Sequence, residues 1–343
     1  MSTEARETLD CTALDEAARR EIEDGLAACQ VAVARDGEVV WSRSYGSAEP
    51  TTRFWIASAT KPIVSSAVWI LIAEGHVDVS RPVADYVPEF AGGGKQDVTV
   101  EQVMLMTSGF SEAPMTSEQG GDRELRLAQI AAWTLDTEPG TAYAYHGESA
   151  HWVLAELIER VTGEDFRDFV EARVTRPLGL GRVLGIPRAE QDDVAQLSPA
   201  ASDSVRDLYD YAAKIEVGEP GGGAIMTAAQ LALFYQALLH DPAGIWHPDV
   251  LADGTGRIRC TLPDPLLGMP ANRTLGVVIG AGFGTTWGSS ATAFGWPGAG
   301  GQIGFAEPTS GLSFAFLQMG GIDQIETFVR ASRMSQLALE LGG

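Results

Sequence analysis

With 343 residues, 45% of them apolar and 20% charged, the chain is long enough for one large or two medium domains around a substantial core, and too long for a small stapled module. Lys and Arg total 24 against 46 Asp and Glu, a formal net charge of −22, which disfavours nucleic acid or an anionic membrane as a partner. Only three of the cations are lysines, Lys61, Lys95 and Lys214; arginine supplies the other 21.

The chain starts polar and acidic, with no apolar run of the kind that follows in a secretory signal, and no window approaches the ~18 apolar residues of a membrane span. Three cysteines, Cys11, Cys29 and Cys260, are odd in number and widely spaced, which suits neither a disulfide framework nor a CxxC metal site. A cytoplasmic location is the expectation.

In chain order, Thr12 to Ala28 shows apolar residues at helical spacing, and two strand-like runs, 30–35 and 39–45, flank Asp36-Gly37, a hairpin signal. An apolar run from Pro62 to Ala73, closed by Gly75, predicts a buried helix whose first turn holds Ser58 and Lys61. Helical patterns broken by Gly/Pro loops continue to about Phe234. Strand-like runs return at 275–279, 292–296 and 312–317, and a last helix is expected over 323–341. Strands at both ends with helices between predict an α+β fold, an α/β sandwich. Its antiparallel sheet comes from both termini and is flanked by the terminal helices. Residues 1–57 and 272–343 form the sheet domain, 58–271 an inserted, mostly helical domain, and the cleft between them is the expected site.

Ser58-Ala59-Thr60-Lys61 is the sharpest local signal. Three residues is nearly one helical turn, so the hydroxyl and the amine share a face and can hydrogen-bond. A serine needs a neighbour to take its proton, and a lysine can do so only where burial or nearby positive charge favours its neutral form. The apolar flanks 54–56 and 62–64 offer such a setting, and arginine cannot replace the lysine because it keeps its proton.

Further stretches complete a pattern: 105–110 (Leu-Met-Thr-Ser-Gly-Phe), 139–145 (Pro-Gly-Thr-Ala-Tyr-Ala-Tyr), 222–227 (Gly-Gly-Ala-Ile-Met-Thr) and 295–305, which contains Trp296-Pro297-Gly298-Ala299. In this order, and over nearly the whole chain, the sequence resembles the β-lactamase-like serine hydrolases, especially the family VIII carboxylesterases related to class C β-lactamases and DD-peptidases. The resemblance implies Tyr145 as a proton-transfer partner of Lys61, and an oxyanion hole from the backbone N–H groups of Ser58 and Ala299. It implies no metal and no organic cofactor.

The sequence departs from that pattern twice. Gly147 stands where the family has an asparagine two residues after the tyrosine, and Trp296 where it has Lys or His in the triplet ending at Gly298. Both substitutions point to Gly147, Trp296 and Gly298 as substrate-binding positions for a small ester with a neutral, apolar part. The expected reaction is ester hydrolysis through an acyl-enzyme on Ser58. Transfer of the acyl group to a small alcohol or amine, and amide hydrolysis of the β-lactamase or DD-peptidase type, are the alternatives. A non-catalytic sensor that forms a lasting adduct is a third, against which the presence of all three side chains argues.

His146, Glu148 and His151 form H-x-E-x-x-H, whose spacing separates the histidines on a helix and so differs from the zinc motif. No G-x-S-x-G elbow, Walker loop or dinucleotide fingerprint occurs. Thr107-Ser108-Gly109 is expected to close a helix beside the cleft. Trp41, Trp69 and Trp152 are expected in the core; Trp55, Trp133, Trp246 and Trp287 fit either core or cleft wall. Oligomeric state carries no sequence signal.

Overall fold

Asp36 and Gly37 both have positive φ, 54° and 80°, the geometry of a type I′ turn that matches the twist of paired strands. They join β1 (Ala28–Arg35) to β2 (Glu38–Gly46). The computed structural model describes residues 9–196, 211–280, 290–320 and 324–342. Within these, β3 (Phe54–Trp55) and β4 (Ile225–Met226) form a two-stranded ribbon, and β5 (Val278–Ile279), β6 (Phe294–Gly298), β7 (Gln302–Glu307) and β8 (Leu312–Met319) complete the main sheet.

That sheet has six strands in the order β2-β1-β8-β7-β6-β5, antiparallel throughout. The N- and C-terminal parts meet where β1 pairs with β8, Val31 opposite Phe316. Strand β7 was not among the runs expected from the sequence, because glycines at 300, 301 and 304 interrupt the alternation by which a strand is read.

The helices are α1 (Thr12–Glu23), α2 (Lys61–Ala73), α3 (Val100–Met104), α4 (Ser117–Gly121), α5 (Arg123–Ala132), α6 (Ser149–Thr162), α7 (Phe166–Val170), α8 (Tyr211–Val217), α9 (Ala228–His240), α10 (Pro248–Gly256) and α11 (Gln324–Glu340). Side chains alternate across the sheet, and the alternation sorts them. On one face, Tyr45 donates to Asp15 of α1 (2.7 Å) and Gln318 accepts from Arg330 of α11 (2.8 Å), both opposite Cys29. On the other, Gln30 accepts from the Ala228 N–H (3.0 Å), and Ser313, opposite Ala34, donates to the Ala232 carbonyl (2.7 Å). The terminal helices thus cover one face and α9 the other. Gly304 is needed there: an ideal Cβ on it would stand 2.5 Å from the Tyr235 ring. Helix α9 belongs by sequence to the 58–271 segment, yet it packs on the sheet.

Helix α2 is buried on all sides from Lys61 to Leu71, as a helix apolar on nearly every face must be. Trp69 donates to the Leu275 carbonyl (3.0 Å) and Trp246 to that of Ser66 (2.9 Å). Gly254 and Gly276 admit the Trp69 ring so closely that a Cβ on either would meet it at 2.5 and 2.6 Å. Trp55, Trp133 and Trp152 are buried as well, whereas Trp41, expected in the core, is only half-buried on the edge strand β2. Trp287 lies outside the described residues. All three cysteines are buried and free, and burial pushes the Cys29 thiol up to about 12. Among the described residues no helix is long and apolar enough to cross a membrane.

Candidate active site

Ser58 sits where the chain turns sharply between β3 and α2. The Ile56 N–H donates to the Ala224 carbonyl (3.0 Å), which holds the end of β3 against the 222–227 stretch. Ala57 then adopts φ 47°, a left-handed conformation that costs a non-glycine residue about 1–2 kcal/mol. The surroundings hold it there: Thr60 donates to the Ala57 carbonyl (2.6 Å) and accepts from the Ala224 N–H (3.1 Å). Residues Ala57–Thr60 make a 3-10 turn and α2 begins at Lys61. Ser58 therefore lies in the turn ahead of the helix, one step earlier than helical spacing predicts, and is partly exposed.

Lys61 is fully buried, and its Nζ has three hydrogen-bond partners. It lies 3.2 Å from Ser58 Oγ and 2.7 Å from each of two carbonyl oxygens, those of Gly147 and Gly221. Gly221 comes so near that a Cβ would stand 3.1 Å from the Gly147 oxygen and 3.3 Å from Nζ. A side chain there would press on both groups that the amine's geometry depends on. Gly147, expected to matter for substrate through its missing side chain, reaches the site through its carbonyl and touches Lys61.

The Tyr145 ring centroid is 5.2 Å from Lys61 Nζ. Burial by itself would raise the phenol. The Lys61 ammonium, a hydrogen bond with Ser58 and the Arg273 guanidinium outweigh it and hold Tyr145 below its ordinary value. The Trp296 indole N–H acts in the same direction, though it makes no hydrogen bond of ordinary geometry. Arg273 was not singled out by sequence. It is 1% exposed, lies 4.1 Å from the Trp296 ring centroid and 5.7 Å from that of Tyr145, and donates to the Tyr143 hydroxyl. Trp296, expected as a substrate contact, is 2% exposed and packs against Arg273 away from the cavity wall. In the sequence, the one cue to Arg273 is a cation opening an otherwise apolar run at 274–279.

Strand β6 pairs with β5 only at Phe294 and Gly295, so among the described residues no strand pairs with the Trp296–Gly298 stretch on that side. The Ser58 turn fills the gap: a Cβ on Gly298 would collide with the Ile56 carbonyl at 2.2 Å. Ala299 follows, partly exposed. Ser58, Tyr145, Gly298 and Ala299 line one cavity of ≈ 380 Å³, whose remaining wall is chiefly apolar, with Pro265, Leu266, Leu267, Pro297 and Phe328.

The residues of the H-x-E-x-x-H motif go separate ways. Buried His146 binds the Ala144 carbonyl through Nδ1 (2.7 Å) and Ser108 Oγ through Nε2 (2.9 Å), and burial lowers it to about 4. The carbonyl fixes the proton on Nδ1, so Nε2 accepts from Ser108. Glu148 pairs with Lys214 (2.5 Å), and His151 lies buried beside Ser65 (3.4 Å). Ser108 is fully buried. It anchors the loop after α3 to the segment that carries Tyr145.

A buried lysine bonded to a serine three residues before it, at the junction of an antiparallel sheet and a helical layer, defines a serine hydrolase of the β-lactamase/transpeptidase-like fold. The chain belongs to the Beta-lactamase family, whose model matches residues 14–321. It is 29% identical over 297 residues to Esterase/beta-lactamase LipL of Mycobacterium tuberculosis, covering 76% of this chain and 68% of that protein. With Esterase EstB of Burkholderia gladioli it shares 32% identity over 190 residues, 48% of each chain. Among solved structures, a penicillin-binding protein homolog from Caulobacter crescentus superposes with TM-score 0.82 at 27% identity, over 96% of this chain and 97% of the other. A family VIII carboxylesterase superposes with TM-score 0.78 at 24% identity, over 94% and 97% of the two chains, a likeness of fold.

Proposed function

We propose that the chain is an esterase that hydrolyses carboxylic esters through an acyl-enzyme on Ser58. The observation that carries this reading is the coordination of Lys61. At rest the Lys61 ammonium donates to the Gly147 and Gly221 carbonyls and to Ser58 Oγ; once the Tyr145 phenolate takes its third proton, the two carbonyls keep the remaining N–H bonds and the lone pair is left for the Ser58 hydroxyl. Lys61 accepts the Ser58 proton as Oγ adds to the ester carbonyl, and the N–H groups of Ser58 and Ala299 receive the oxyanion. Tyr145, which faces both Ser58 and Lys61, passes a proton to the leaving alkoxide. Water then enters by the reverse route and frees the acid. Residues 272–343 supply Pro297, Gly298, Ala299 and Phe328 to this cleft, and residues 58–271 supply Ser58, Tyr145 and the 264–267 loop.

The apolar cavity wall and the −22 balance favour a neutral or cationic ester with an apolar part, and esterase-named relatives support the class. Steady-state rates for p-nitrophenyl butyrate, nitrocefin and a D-Ala-D-Ala peptide test it: the ester is expected to be turned over with the highest kcat/KM, and nitrocefin turnover of equal efficiency would overturn the reading. Leu266, 87% exposed at the cavity mouth, is expected to contribute to apolar chains. Leu266→Asp should lower kcat/KM for p-nitrophenyl octanoate about tenfold relative to the acetate, measured as the ratio of the two.

Arg273 bears on pH dependence. It stabilises the Tyr145 phenolate, so its removal raises Tyr145 towards the ordinary tyrosine value. The limb of the pH–rate profile that reports Tyr145 then moves to higher pH, further in Arg273→Gln than in Arg273→Lys. Coincident profiles for wild type and Arg273→Gln would contradict this electrostatic role.

A further inference from the structure

Next to the two segments whose carbonyls hold Lys61 lies a second lysine with two carboxylates. Lys214, at the end of α8, is 2.5 Å from Glu148 Oε1 and 3.2 Å from Glu219 Oε2. Glu148 directly follows Gly147, and Glu219 precedes Gly221 by two residues. The two carbonyls that hold Lys61 therefore belong to the two segments that Lys214 bridges. The bridge is tied to the backbone as well: the Glu219 N–H donates to the Lys214 carbonyl (2.9 Å), and the Gly222 and Gly223 N–H groups donate to the Glu219 carbonyl (3.1 and 2.6 Å). The Glu219 side chain is 7% exposed. Gly222 leaves room for it, since a Cβ there would stand 2.9 Å from Glu219 Oε1. Trp55 donates to the Gly222 carbonyl from the far side.

We propose that Lys214 is a positioning residue for Lys61: by bridging Glu148 and Glu219 it locks together the two segments whose carbonyls, at Gly147 and Gly221, take two of the amine's hydrogens. This rests on the reading of Lys61 as the proton acceptor for Ser58. A carbonyl displaced by a fraction of an ångström lets the amine rotate and turns its lone pair off the hydroxyl, at a cost to the chemical step and little to substrate binding. The bridge also offsets charge. The groups facing Lys61 are Ser58, Tyr145, His151 from α6 and Glu219; Arg273 lies behind Tyr145. Glu219 is the carboxylate among these, and Lys214 pairs with it and with Glu148.

The test is steady-state kinetics of the full chain on p-nitrophenyl butyrate, with far-UV circular dichroism and Tm to verify folding. Lys214→Met is expected to lower kcat about 10- to 100-fold while KM stays within about threefold. Lys214→Arg, whose guanidinium spans two carboxylates, should recover to within about fivefold of wild type. In Lys214→Met the acid limb of kcat/KM should move to higher pH, because two unpaired carboxylates favour the protonated form of the neighbouring Ser58–Lys61–Tyr145 unit. Adding Glu219→Gln should move it back, a response that loss of packing alone does not produce. Where Lys214→Met does not fold, Glu148→Gln removes one arm of the bridge from a part-exposed carboxylate and should cost kcat about three- to tenfold. A folded Lys214→Met with kcat within about twofold of wild type, or an arginine variant no better than methionine, overturns the proposal. If Lys61→Met itself stays active, the fault lies with the reading of Lys61; if Lys61→Met is inert and Lys214→Met is normal, only the bridge fails.

Discussion

Ser58→Ala is expected to lower kcat/KM for p-nitrophenyl butyrate by about 10⁴- to 10⁶-fold, with Tm within a few degrees of wild type. Ser58 is partly exposed, and its hydroxyl is one of three partners of Lys61, so its loss leaves the ammonium still bonded to two carbonyls. Nothing else described in the cavity can take over the attack. Ser108 is fully buried and bonded to His146, and Cys29 is a buried residue of β1 on the face covered by the terminal helices, its thiol pushed up to about 12. Intact-mass analysis adds a second measurement: wild type mixed with a slow ester should gain the acyl mass and Ser58→Ala should not. Turnover by Ser58→Ala within about tenfold of wild type would remove the serine from the chemistry.

Lys61→Arg is expected to lower kcat by about 10²- to 10⁴-fold, the range a positioned acid–base group contributes. The substitution keeps the positive charge, and its N–H groups can still meet the Gly147 and Gly221 carbonyls. A guanidinium offers no lone pair at any working pH. The loss therefore isolates proton acceptance from charge. A nearly normal rate in Lys61→Arg would mean that the cation serves only to orient Ser58.

Much of this arrangement is legible in the sequence. The hairpin at Asp36-Gly37, the buried helix after Ser58 and the terminal strands meeting in one sheet follow from turn chemistry and apolar periodicity, which act over a few residues. What was missed shares a cause. Strand β7 follows two glycines and carries a third, Gly304, which blur its alternation. Helix α9 looks like its neighbours along the chain, and only packing sets it against the sheet. Trp296 stood at a position argued to meet substrate, but its ring is taken up by Arg273, 23 residues earlier in the sequence.

The three lysines mark the division between the two kinds of information. By itself, the sequence determined that lysine is rare here and that one of three sits a helical turn from a serine, because spacing along a helix is a local property. It also singled out Tyr145 through the order of its motifs. Only the tertiary structure decided what the lysines touch. Lys61 meets carbonyls 86 and 160 residues away along the chain. Lys95 is buried against the Gly92 and Trp133 carbonyls. Lys214 bridges carboxylates on two segments. A buried amine must satisfy its N–H bonds with whatever acceptors the fold delivers. Most of those acceptors, the carbonyls of Gly147, Gly221 and Trp133 and the Glu148 carboxylate, lie far along the chain and leave no pattern in the residues around each lysine.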